Sequence, residues 1–170
     1  MTDREPLHFI RQYRHFALFC VFYILGLVAG LLFVARYSSV SLMRLLYDPQ
    51  MSIVIGFLVS AFPFIVFYIV FRCSALFMIA PLAFAKAFMF MYCFGGVSVA
   101  YADAGWLVRC LLLFTDCFSV PLLIWYVGET LIKKQILKNT KIWLCLFLVF
   151  VIRCIDYSVI SPFAAKLLSF

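Results

Sequence analysis

The sequence predicts an all-α, polytopic membrane bundle of about five transmembrane helices, and three observations predict it. First, 68% of the 170 residues are apolar and only 12% are charged, whereas soluble domains run at about 45–50% and about 25%. Second, the apolar residues fall into runs of the length a bilayer requires, about 20 residues each. Third, Lys and Arg flank those runs with the asymmetry that sets membrane orientation. A soluble domain and a disordered chain are both excluded, and the runs leave no room for a folded extramembrane domain.

Residues 1–15 form a basic segment carrying Arg4, Arg11, Arg14, His8 and His15. The first span follows over 16–35. It is too long for the apolar core of a signal peptide (about 7–15 residues) and lacks a small-x-small cleavage site, so it reads as a retained helix. Within the loop 36–50, the stretch Val40–Tyr47 sets Leu42, Leu45 and Leu46 opposite Arg44, as an interfacial helix would. Asp48-Pro49 closes it. The second span, 51–71, contains Pro63, which predicts a kink. The third, 74–100, is interrupted by Pro81, Lys86 and Gly95-Gly96, which predicts either a kinked crossing helix or a partly re-entrant one. A polar turn leads to the fourth span, 106–127, a basic loop follows over 128–141, and the fifth span covers 143–161. Pro162 ends it, leaving a short tail over 162–170. Trp106 and Trp143 stand at span ends, where interfacial aromatics belong.

With the N-terminus inside, Arg4, Arg11, Arg14, Arg72, Lys133, Lys134, Lys138 and Lys141 all lie on the cytoplasmic side, against Arg36, Arg44 and Lys166 outside. Five spans then put the C-terminus outside a cell membrane. The net charge of +7 is accounted for by these flanks and their contact with anionic headgroups. No basic patch alternates with aromatics on a polar face, so no nucleic-acid partner is expected. The seven cysteines (20, 73, 93, 110, 117, 145 and 154) form no CxxC pair and read as reduced packing residues, with no metal and no cofactor.

No phosphate loop, HExxH, GxSxG or GxGxxG is present, so the sequence predicts no enzyme and no catalytic residue. The unusual feature is five ionisable residues at membrane depth: Lys86, Arg109, Asp116, Arg153 and Asp156. Each costs at least about 2.5–3.5 kcal/mol near a helix centre and normally faces a partner. Arg153 and Asp156, three apart on one helix, pair directly. Asp116 is the natural cross-helix partner of Lys86, and Arg109 lies nearer the surface, where it can snorkel. The cluster reads either as a charge lock on helix packing or as a polar path for a solute. Gly26 and Gly30 form a GxxxG pair that admits a close helix, whether from this chain, another protein or a second copy of the chain.

The order of features resembles the stage II sporulation protein M family of bacterial membrane proteins. A basic leader enters a span with Gly26 and Gly30. Then come Pro81, Lys86 and Phe88 in a Pro-x4-Lys-x-Phe pattern, an apolar hairpin with a short polar turn, and a span ending in Gly128-Glu129-Thr130-Leu131. The likeness covers roughly residues 11–134. Family members often carry glycine directly after the lysine, where this chain has Ala87. The resemblance implies a polytopic, non-enzymatic scaffold that works through other membrane or cell-wall proteins; the family's namesake holds peptidoglycan-degrading proteins at the septal membrane during engulfment. The competing expectation is a small membrane subunit of a transporter that binds a solute, with the basic 128–141 loop docking a cytoplasmic ATPase.

Overall fold

A computed structural model of the chain describes residues 5–37, 53–103, 105–133 and 140–168, with side chains from residue 13 onward, apart from those of residues 37, 133 and 168. The elements are α1 (Glu5–Tyr37), α2 (Ile53–Arg72), a 3₁₀ turn (Leu76–Met78) running into α3 (Ile79–Ala100), α4 (Trp106–Leu112), α5 (Phe114–Lys133), α6 (Thr140–Ile155), a π turn (Asp156–Ile160) and α7 (Ser161–Leu168). The described residues contain no strand. Four stretches, Tyr13–Arg36, Ile53–Arg72, Leu76–Ala100 and Thr140–Leu167, are long and apolar enough to cross a bilayer, and the pair α4–α5, bent by 58°, meets the same test when taken as one span. The all-α bundle expected from composition is the observed fold. The interfacial helix expected at Val40–Tyr47 lies outside the described residues.

The third apolar stretch, expected to be kinked or re-entrant, is one helix long enough to cross. Pro81 falls in the first turn of α3, where its missing N–H has no intrahelical partner to lose. Gly95 and Gly96 stay helical and buried, with Val34 of α1 packed against Gly95. The interruption occurs instead in the fourth span, expected to be continuous: α4 and α5 meet at Leu113 with a 58° bend. Thr115 and Asp116 stand in the first turn of α5, where a carboxylate suits the exposed N–H groups and the positive end of the helix dipole. That start signal outweighs the continuity of the apolar pattern.

Two further expectations are corrected. Residues 128–133 are not loop but the last turns of α5, and Lys141 is already in α6. The fifth span does not end at Pro162. The helix continues as α7, because the π turn accommodates the proline. Pro162 has no N–H, and its ring would press on the carbonyl one turn back. The wider turn, closed by the Ser161 N–H on the Asp156 carbonyl, relieves that crowding. Pro63 leaves α2 unbroken over Ile53–Arg72.

α1 packs chiefly along α3, and α2, α5 and α6 pack together, with α1 also touching α5 and α4 resting on α7. The shared core joins Phe19 and Tyr23 of α1, Phe64, Phe67 and Phe71 of α2, Ala83 and Ala87 of α3, Leu123 and Val127 of α5, and Cys145 and Val149 of α6. Outward faces such as Val54, Leu58 and Phe62 of α2 are exposed, as lipid-facing residues are. α2 ends in a Schellman cap. The Ala75 N–H reaches the Val70 carbonyl at 3.0 Å and the Ser74 N–H reaches the Phe71 carbonyl at 3.2 Å, with Ser74 at φ 53° in the position glycine usually takes.

Candidate functional site

The GxxxG pair faces inward. A Cβ on Gly26 would collide with the Phe84 carbonyl oxygen and lie 2.9 Å from the Ala87 Cβ. One on Gly30 would lie 2.6 Å from the Phe88 carbonyl oxygen and 3.0 Å from the Met91 Cβ. Further along, Val34 fills the space over Gly95. The contacts advance together along both helices, so α1 and α3 are parallel neighbours. Of the three occupants left open by the sequence, the one seen here is a helix of the same chain.

This pairing positions Lys86, which stands beside Ala87 on α3. Its Nζ lies 3.8 Å from Asp116 Oδ1 on α5, with both side chains about one-fifth exposed. The expected cross-helix pair is therefore present. Arg153 Nη1 donates to Asp156 Oδ2, so the expected i,i+3 pair is present too. Thr115 joins the second pair to α5. Its Oγ1 donates to Asp156 Oδ2 at 2.6 Å and accepts from Arg153 Nη1 at 3.2 Å. Ser161 Oγ, the first residue of α7, donates to Asp156 Oδ1 at 3.4 Å. Asp156, 5% exposed, thus ties α5, α6 and α7 together. Thr115 and Asp116 are adjacent in sequence, so both ion pairs converge on the first turn of α5.

A third ion pair marks one end of α5 and α6: Lys141 Nζ lies 2.7 Å from Glu129 Oε2. Counting about 1.5 Å per residue, the Thr115–Asp116 step is about 20 Å from that pair along α5. Asp156 is a similar distance along α6. A bilayer's apolar core is about 30 Å thick, so the four charges lie well within the length of the helices that are long enough to cross it. They sum to zero, and each cation faces a carboxylate, which is the condition for retaining charge in a low-dielectric interior.

Arg109 does not join them. It lies on α4, beyond the bend, and makes no ion pair with any described residue; its Nε is buried without a hydrogen-bond partner. In a straight helix it would stand two turns above Asp116 on the same face, and the 58° bend carries it away. The five-residue cluster read from the sequence is a four-residue cluster plus a separate arginine.

Three contributors were not singled out by the sequence. Thr115 is the hydroxyl between the pairs. Tyr23 of α1, 8% exposed with its hydroxyl unpartnered, lies in the electrostatic field of Asp116. Gly56 of α2 is the third: any Cβ there would overlap the Arg153 guanidinium, so the absent side chain is the space the arginine occupies. The Thr-Asp step inside an apolar span was a visible signal for Thr115. Nothing in the sequence links Gly56 to Arg153, which is 97 positions away. The seven thiols are all free, and no three His, Cys, Asp or Glu side chains gather as a metal set among the described residues.

Compared with family models, with curated proteins and with solved structures, the chain matches none.

Proposed function

We propose that this chain is a non-enzymatic scaffold of a cell membrane that works through protein partners in envelope or peptidoglycan remodelling, in the manner of the stage II sporulation protein M family. The observation that carries this reading is the closed charge cluster. Lys86 and Asp116 neutralise each other across α3 and α5, and Arg153 and Asp156 are neutralised and hydrogen-bonded through Thr115 to α5. Breaking such a pair costs about 3–5 kcal/mol, so it holds the helices in one register and presents a fixed outer surface to partners. In this reading the N-terminus is cytoplasmic and the C-terminus outside, following the excess of Lys and Arg on one side.

The experiment is affinity purification of the tagged protein from its native membrane in gentle detergent, with the co-purifying proteins identified. Recovery of peptidoglycan hydrolases, lost when exposed apolar residues of α2 are changed to alanine, supports the scaffold. Purification with no envelope protein in stoichiometric amount counts against it.

The broken fourth span favours a second reading, the membrane subunit of a solute transporter. Discontinuous helices commonly surround a midplane site, and the first turn of α5 opens at the four charges. Recovery of an ATPase with a second membrane subunit would support this reading in place of the first.

A further inference from the structure

Two backbone irregularities of the described residues face each other. The fourth span breaks at Leu113, and the fifth widens at Asp156–Ile160. They stand at one level, because Thr115, two residues past the break, donates to Asp156, the first residue of the π turn. Beyond both irregularities lie α4 and α7, and these two helices pack on each other. On the near side lie α5 and α6, also packed on each other and closed at their other end by Lys141–Glu129. Two adjacent spans are therefore interrupted at matching depth, with separate packing above and below the interruption.

We propose that α4 and α7 form a single rigid cap that swings relative to the α5–α6 core on two hinges, Leu113 and the π turn, and that Asp156 is the latch. A hinge needs a short stretch that absorbs dihedral change between two rigid bodies. Leu113 has already left helical geometry, with ψ 10°. The π turn carries one residue more per turn than the helix around it, which is the form in which a helix stores a local change of direction. Pro162, just past it, removes one backbone hydrogen bond that would otherwise oppose bending.

The latch crosses the π-turn hinge through one carboxylate: Oδ2 receives Thr115 of α5, which anchors Asp156 to the core, and Oδ1 receives Ser161 of α7, in the cap. The second contact is the weaker, at 3.4 Å against 2.6 Å. Release of the cap would uncover Asp116, Lys86 and Arg153 from the α4–α7 end. Arg109, on the moving element, would travel with it.

The test places spin labels by cysteine substitution in a cysteine-free background. Leu107 and Phe163, both exposed, report the separation within the cap. Leu107 and Trp125, also exposed, report across the hinge. A rotation of about 20° would move the tip of the cap, an arm about 10 Å long, by about 3.5 Å. The double variant Thr115→Val/Ser161→Ala cuts the latch while leaving the Arg153–Asp156 pair in place. The expected result is a Leu107–Trp125 distance distribution shifted or broadened by about that amount, with Leu107–Phe163 unchanged. No change across the hinge overturns the proposal, and so does an equal change within the cap. If the double variant does not fold, Ser161→Ala alone gives the same reading through the weaker contact.

Discussion

At the scale of single residues, two positions hold backbone or side chain where the chemistry of the residue type is unhelpful. Ser74 occupies a left-handed conformation that costs an L-residue about 1–2 kcal/mol. Replacing it with glycine removes that cost and adds unfolded-state freedom. The expected net gain for Ser74→Gly is a few tenths to about 1 kcal/mol, and Ser74→Val, β-branched, should lose more than that. Thermal unfolding of the purified variants in detergent checks both signs. Gly56 is the second position. Gly56→Ala should displace the Arg153 guanidinium from Thr115 and Asp156 and cost about 3 kcal/mol. In an Arg153→Met/Asp156→Asn background the same change should cost at most about 0.5 kcal/mol, since nothing charged remains to be displaced. Equal costs in the two backgrounds would show that the glycine serves another neighbour. The residue scale is also where the sequence was least legible. Spacing within one helix identifies Arg153–Asp156, because i,i+3 geometry is local. The notch at Gly56 is a tertiary fact about two helices far apart in the chain, and no local pattern encodes it.

At the scale of elements, the α1–α3 and α3–α5 contacts make separable predictions. Gly26→Leu must push against the Phe84 backbone carbonyl, which cannot move aside as a side chain can, so α1 should separate from α3. Gly105→Ala is the matched control, because a Cβ there meets nothing within 4 Å. Cysteine crosslinking between α1 and α3 should be lost in the first and kept in the second. Lys86→Ala and Asp116→Ala should each destabilise the fold by about 3 kcal/mol, and the double variant should recover part of the loss. Simple additivity in chemical denaturation would mean that the 3.8 Å approach carries no coupling. Element existence was readable from apolar run length alone, since bilayer thickness sets it. The breaks were not. Prolines and a glycine pair pointed to the third span, yet Pro81 sits harmlessly in a first turn, Gly95-Gly96 stay helical, and Gly95 makes room for Val34 of α1. The break fell where Thr115 and Asp116 stand in a first helical turn, the end at which a carboxylate is favoured by the helix dipole and where Asp116 also has Lys86 to face.

At the scale of the whole molecule, charge bias and helix direction make one statement. A parallel α1 and α3 with a single intervening span is the geometry of alternate crossings, and the Glu129–Lys141 pair sits at the same end as Phe16, which packs over Gly128. In the proposed orientation that end is cytoplasmic. Protease protection in sealed inverted vesicles checks it. A tag inserted after Lys134 should be cleaved, and a tag at the C-terminus should survive until detergent is added. The reverse pattern would turn the whole bundle over and place the cluster of lysines on the far side of the membrane.

The parallel contact between the first and third helices also has a consequence in time. A ribosome adds about 5–20 residues per second, and roughly 60 residues separate Gly26 from Ala87. For about 3–12 s during synthesis, the glycine groove of α1 has emerged but its mate has not. Whatever small-surfaced helix stands beside it in that interval, whether an insertion factor or a neighbouring nascent chain, can occupy the groove first. The second span must therefore insert without delay, and a pause in translation between α2 and α3 would be the moment at which this protein is most easily misassembled.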